Sequence, residues 1–481
     1  MRTSTGLMLA VVVVTGCGRL PPPPANEPPK TPVDPVAPVD EGLAPLVSTP
    51  PLEDLNADPN IVEVQLDAAE KVVAVGGRMV SMYTYNGSFP GPTLEAKPGD
   101  RVIVHFTNRL PEPTTIHWHG LRIEDAMDGS PRLQSPVMPG GTFTYDFVVP
   151  EAGSYWYHPH VRANEQVEKG LYGPIVIRDG KAPRYDRERY LLLDDILLNG
   201  NAFAPFMASH PEVMHGRFGN ILLANGSGAE GLTDIARLGE VERWRIVNTS
   251  NARTMTLKLE GAAYQVIATD GGPVPKLWST ERLTLAVGQR LDLDVRYFQA
   301  GAVQLFNLVR VSDGNGGVVE SPIEVFRVAV GTPAVEQPRN PEPPVVALPA
   351  RTPARTIDIT LDGAADPNGG IAWLINGKAH STEPLFTAEK GETVRLHIVN
   401  NAGPEHPFHL HGQFFSVVGQ PEQGLRDTWL VPGLTQVDLD AYLDNPGQWM
   451  AHCHILEHAE LGMMTEFVVG PGSSSSSHED H

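Results

Sequence analysis

An internal repeat constrains the fold more than any other feature of the chain. The segment Gly99-Asp100-Arg101-Val102-Ile103-Val104-His105-Phe106-Thr107-Asn108 recurs as Gly239-Glu240-Val241-Glu242-Arg243-Trp244-Arg245-Ile246-Val247-Asn248 and as Gly391-Glu392-Thr393-Val394-Arg395-Leu396-His397-Ile398-Val399-Asn400. Each copy follows an Asn-Gly pair, at Asn86-Gly87, Asn225-Gly226 and Asn376-Gly377. Alternation of apolar and polar residues marks a strand with one buried face, and the Gly-acid pair suits the turn before it. Chance likeness among hairpins would explain one copy; three with the same Gly-to-Asn interval indicate three homologous β-sandwich domains. The 45 Pro and 47 Gly, set among short Val/Ile/Thr/Leu runs, agree with an all-β chain, and 481 residues exceed one ordinary core.

The ends read differently. Arg2, an apolar run from Leu7 to Val14, and then Gly16-Cys17 are too short to span a bilayer. They resemble the bacterial lipoprotein signal, in which cleavage precedes the Cys and its thiol carries a diacylglycerol; an ordinary signal peptide cleaved nearby is the alternative. Either way the chain leaves the cytoplasm, and the expected location is the cell envelope (periplasm or outer membrane), with membrane attachment through the lipid alone. Gly18, rather than Asp, favours outer-membrane sorting by the same resemblance. The expected organisation is a signal over 1–17, a Pro-rich tether over 18–55, domains over 56–182, 183–336 and 354–470, a linker over 337–353 and a disordered tail over 471–481. A net charge of -21 argues against nucleic acid and favours cations as partners. A monomer is expected.

Of the 17 histidines, ten fall in four groups: His117 and His119; His158 and His160; His406, His409 and His411; His452, His454 and His458. Residues two apart on a strand share a face, so the pairs 117/119, 158/160, 409/411 and 452/454 each aim two imidazoles one way. Eight imidazoles suffice for three metal ions with open positions, and imidazole suits copper. Cys453 points away from His452 and His454, and His406 away from His409. With His458 and Met463 they make one thiolate, two imidazoles and one thioether, the ligand set of a blue-copper electron-transfer site. A disulfide is rejected because Cys17 is taken by lipid and Cys453 is flanked by histidines. A structural zinc site at Cys453 would leave three groups unexplained. His105, His210, His215, His380 and His397 are read as ordinary surface or core residues.

His117-Trp118-His119-Gly120, Tyr157-His158-Pro159-His160, His406-Pro407-Phe408-His409-Leu410-His411-Gly412 and His452-Cys453-His454-Ile455-Leu456-Glu457-His458 through Gly462-Met463 resemble, in order, the four copper motifs of multicopper oxidases. The resemblance covers about residues 56–470. It implies three cupredoxin-like Greek-key domains and four coppers: type 1 on His406, Cys453, His458 and Met463; type 2 on His117 and His409; and a type 3 pair on His119, His158, His160, His411, His452 and His454. The middle domain would be a copper-free spacer. The implied reaction couples four one-electron oxidations at type 1 copper, passed through Cys453, to reduction of dioxygen to water at the trinuclear cluster.

Protons for that reduction call for carboxylates. Asp128 matches the acid many bacterial members carry after the first motif, although Asp128-Gly129 also reads as a plain turn. Bacterial relatives often place Glu directly after the last type 1 His, where this chain has Ala459, so Glu460 or Glu457 is the expected substitute. An axial Met463 implies a modest type 1 potential, and phenols, aromatic amines or Cu(I) as reductants. Met207 and Met214 are read as packing. The rival from another class is a non-catalytic envelope protein that sequesters copper, aided by the terminal His478 and His481; the thiolate bridge between sites argues against it. No twin-arginine pair precedes the apolar run, so unfolded export followed by copper loading is expected.

Overall fold

The computed structural model describes residues 49–470, apart from breaks at 181–182, 208, 229–232, 313–317, 349 and 367–368. The signal with Cys17, most of the tether and the tail lie outside the described residues.

The three repeat copies become the strands Arg101–Asn108, Val241–Asn248 and Glu392–Asn400. Each pairs in parallel with the opening strand of its own sandwich: Ile61–Val75, Arg187–Ile196 and Arg355–Ala365. Each also pairs antiparallel with a later strand: Thr142–Val148, Arg290–Arg296 and Gln436–Leu443. The residues that repeat are those with a backbone task. The acid accepts the backbone N–H three residues earlier in all three copies: Asp100 from Lys97 at 2.8 Å, Glu240 from Arg237 at 3.0 Å and Glu392 from Glu389 at 3.1 Å. The closing Asn is buried each time and donates to two or more backbone carbonyls, among them Val137, Leu285 and Val431. The Asn-Gly pairs have positive φ at both residues, the tight-turn geometry that suits a two-residue hairpin.

Sheets of four and four, seven and five, and six and five strands make the three sandwiches. Each encloses its own apolar core, the first around Trp118 and Tyr157, the middle around Trp244 and Leu257, the third around Phe408 and Trp449. The tether ends earlier than expected. Leu52 donates to Thr93 O and Thr93 donates to Pro50 O, both at 2.8 Å, and Leu52 packs on the first core, so the sandwich already holds the chain there. Between Gly331 and Arg355 no strand or helix forms among the described residues, which agrees with the Pro-rich composition of that stretch.

Candidate metal centre

Strand His117–His119 pairs with Gly153–His158, placing His117 opposite His158. In the third domain His406–Leu410 pairs with Gly447–Cys453, placing His409 opposite His452 and Phe408 opposite Cys453. Alternation therefore sends His409 and His452 to one face and Cys453 and His406 to the other, as the spacing predicts. Only the 117/119 pair lies wholly within a strand. The other strands end at His158, Leu410 and Cys453, and a bend carries His160, His411 and His454 to the same place. Pro159 has no N–H to continue the ladder, which accounts for the first of these ends.

Two trios emerge that the sequence did not distinguish: His119 with His158 and His454, and His160 with His411 and His452. In each, donor atoms lie within 4.8 Å of one another and every residue comes from a buried position. His117 belongs to further groups with His409 and His411 and with His158 and His160. The outer ring nitrogens are tied to protein oxygens. His117 Nδ1 donates to Asp128 O at 2.8 Å, His409 Nδ1 to Asp427 O at 2.9 Å, His158 Nδ1 to Pro159 O at 3.0 Å and His452 Nδ1 to Cys453 O at 2.9 Å. Those bonds fix the tautomer and turn Nε2 inward with its lone pair free. Nε2 of His117, His158, His160 and His409 has no hydrogen-bond partner although buried. Eight converging imidazoles with orphaned nitrogens are a poor arrangement for a protein without metal and a fitting one for a protein with several ions. Burial drives His119, His158, His160, His409 and His452 well below the ordinary range, and His411 to about 4 and His454 to about 3, so the rings are neutral, the form that binds metal.

The fourth donor set is separate. Cys453 Sγ lies 3.4 Å from His406 Nδ1 and 3.8 Å from His458 Nδ1, and the two imidazole nitrogens are 3.1 Å apart. Met463 is fully buried, and its backbone is bound to both Cys453 and His458. Burial pushes the Cys453 thiol up, so it keeps its proton until a metal displaces it. It is the one cysteine among the described residues, free and buried.

Sequence profiles described as multicopper oxidase match residues 67–182, 178–316 and 350–473. The multicopper oxidase MmcO of Mycobacterium tuberculosis is 31% identical over 437 residues, spanning 82% of this chain and 84% of its own. The chain belongs to the multicopper oxidase family. Among solved structures, a multicopper oxidase from Campylobacter jejuni described as a metallo-oxidase superposes with a TM-score of 0.77 at 28% identity, over 88% of this chain and 95% of its own. A bacterial laccase-like multicopper oxidase from Ochrobactrum sp., described as active towards lignin model compounds, gives 0.75 at 25% identity over 88% and 100%. This multicopper oxidase is therefore an all-β oxidoreductase of cupredoxin-like domains, with copper as cofactor and dioxygen as electron acceptor.

Of the expected carboxylates, Asp128 is at the centre: Oδ2 accepts from His411 Nδ1 at 2.7 Å and Oδ1 lies 3.1 Å from His117 Nδ1. Burial by itself would raise Asp128; the two imidazoles outweigh it and hold the carboxyl well below the usual range. Glu460 ends the short helix Leu456–Glu460 on the exposed side, within electrostatic reach of His380 and Arg162 rather than of the clustered histidines. Glu457 points inside, accepting from Asn251 Nδ2 at 2.8 Å and Arg217 N at 3.0 Å, and burial pushes it up to about 7. Among the isolated histidines, His105 pairs with Glu63 and His397 with Asp438 near the surface, whereas His215 lines a cavity.

Residues that the spacing did not reveal also lie around the two donor sets of this multicopper oxidase. The helix His210–His215 packs against the helix Leu456–Glu460, and its Met214 carbonyl accepts from His458 Nε2 at 3.3 Å. A cavity of about 440 Å³ opens beside it, lined by Leu197, Pro211, His215, Phe218, Glu405 and Ile455 among others. Asp427, whose carbonyl orients His409, lies in Arg426-Asp427-Thr428; the sequence shows there only an adjacent Arg and Asp, and that both are buried is seen only in the fold.

Proposed function

We propose that His406, Cys453, His458 and Met463 hold type 1 copper, His117 and His409 type 2 copper, and the trios His119-His158-His454 and His160-His411-His452 the type 3 pair. The observation that carries this is Cys453: one buried residue belongs to the single-copper donor set while its two neighbours belong to the two trios. Bound copper supplies a one-electron acceptor at the first set and the means of reducing dioxygen at the other. The chain's own residues do the rest. His452-Cys453-His454 gives a covalent route between the sets, the buried imidazoles present neutral donors, and Asp128 holds His117 and His411 in position beside the cluster. The balance is four electrons and four protons per dioxygen, giving two waters.

The apolar wall of the cavity beside the helix His210–His215 suits a small aromatic ring, and phenols and aromatic amines are the reductants we assign to it. Glu405 and His215 on the same wall favour Cu(I) as a second reading. The Ochrobactrum and Campylobacter relatives, described as active on lignin model compounds and as a metallo-oxidase, support the two readings respectively. Sequestration alone has no use for a thiolate bridge between copper sites. Export to the cell envelope, with lipid attachment at Cys17, completes the proposal.

The test follows the thiolate-to-copper band of copper-loaded protein in air, with oxygen uptake recorded. Bleaching by a phenol and recovery as oxygen is consumed is the expected result; faster bleaching by Cu(I) selects the second reading. A band that bleaches without oxygen uptake would overturn the oxidase.

A further inference from the structure

The middle domain carries none of the clustered histidines, yet one of its loops forms a wall of the eight-imidazole centre. Gly288 has φ +83°, and a Cβ there would lie 2.8 Å from His454 Cδ2 and 3.1 Å from His119 Cε1. Only glycine lets that backbone come so close. Gln289 Nε2 then donates to Thr428 O at 2.9 Å. Arg290 follows, fully buried, with all five of its N–H groups engaged. Nε donates to Ser154 O of the first domain at 3.1 Å, Nη1 to Gly288 O at 3.2 Å and Nη2 to Asp270 O at 3.0 Å. The remaining two form a fork on Asp427 of the third domain, Nη1 to Oδ1 at 2.7 Å and Nη2 to Oδ2 at 2.6 Å. One side chain thus ties the three domains together.

Asp427 passes that constraint to the metal centre. Its Oδ1 lies 3.4 Å from His119 Nε2, and its carbonyl accepts from His409 Nδ1 at 2.9 Å. Thr428 Oγ1 donates to Asp427 Oδ1 at 2.9 Å and stands 3.0 Å from His409 Nδ1. Gly120, next to His119, clears the space for this pair, since a Cβ there would fall 2.9 Å from Asp427 Oδ2. A buried carboxylate fixed by a bidentate guanidinium has one orientation, and the fork holds Asp427 in place against both imidazoles, His119 at the carboxylate and His409 at the backbone carbonyl.

We propose that Arg290 is a positioning residue of the oxygen-reducing centre: through Asp427 it sets the orientation of His119 and His409, so the middle domain is part of the framework of that centre and not a spacer. This rests on the copper assignment above. Lysine at 290 would keep the charge but lose the fork, and loss of a partner that orients a ligand weakens metal binding by about 10–100-fold.

The experiment uses the full chain loaded with copper, wild type against Arg290→Lys, and reads copper per chain during titration with a chelator, the type 2 paramagnetic resonance signal and the thiolate-to-copper band. Arg290→Lys is expected to release copper at the trinuclear centre about 10–100-fold more readily and to alter the type 2 signal, with the thiolate band unchanged. Unaltered copper retention and an unaltered type 2 signal, with only a lower melting temperature, would overturn the proposal and leave Arg290 as a domain clamp. Should Arg290→Lys not fold, Asp427→Asn, of the same shape, is measured the same way with the same expected and overturning results. A wild type that binds copper without the thiolate band would instead overturn the copper assignment itself.

Discussion

The first and third domains and the middle one are built on one skeleton and put it to opposite uses. Nine and eleven residues beyond the closing Asn of the repeat stand His117 and His119 in the first domain and His409 and His411 in the third. At the same intervals in the middle domain stand Leu257 and Leu259, both buried in its core. The cross-strand partners differ as well: His117 faces His158 and His409 faces His452, whereas Leu257 faces Asn307, whose side chain is buried and accepts from Thr256 N. An inward-facing position that has a neighbouring domain to pack against can afford a polar ligand, because the ion and the opposing domain satisfy it. The same position facing its own core must be apolar. The middle domain then reaches the centre from its other end, by Gly288 and Arg290.

The strongest way to break this contrast is at Cys453. Cys453→Ser removes the one thiolate among the described residues and should abolish the charge-transfer band and oxygen uptake together, while the eight imidazoles still retain copper by elemental analysis; retained uptake would refute the route through Cys453. Next comes the equivalent pair. His409→Ala should cost copper at the cluster with little effect on unfolding of the copper-free protein. Leu257→Ala should leave copper content intact and destabilise by about 2–5 kcal/mol in chemical denaturation, as loss of a buried leucine does. Copper loss in Leu257→Ala at full folding would erase the distinction.

A smaller effect is expected at the junction of the first and middle domains, where Glu168 is fully buried beside Arg217. Burial raises it to about 8, against the opposing pull of Arg217. A carboxyl raised by folding contributes its stability fully below its unfolded value of about 4.5 and loses it as pH climbs through 8. Melting temperature of the copper-free protein should therefore fall between pH 5 and 8, and Glu168→Gln should flatten that fall. The smallest change is assigned to Glu460: Glu460→Gln should leave turnover and its pH profile unaltered because the side chain is exposed, and a shifted profile would return it to the proton path.

Local pattern made much of this legible. The Gly-to-Asn repeat announced three sandwiches because its acid, its Asn and its Asn-Gly turn each serve the backbone of their own domain. Strand parity separated Cys453 from its neighbours because alternation is a property of a few consecutive residues. The sequence did not reveal which histidines form each trio, that His160, His411 and His454 arrive by bends, that Glu460 faces outward, or that Arg290 reaches Asp427 across 137 positions. These were decided in the tertiary structure, where residues from different domains are brought within hydrogen-bonding distance. Spacing along a strand fixes the face a side chain occupies, and only the packing of domains fixes what that face meets.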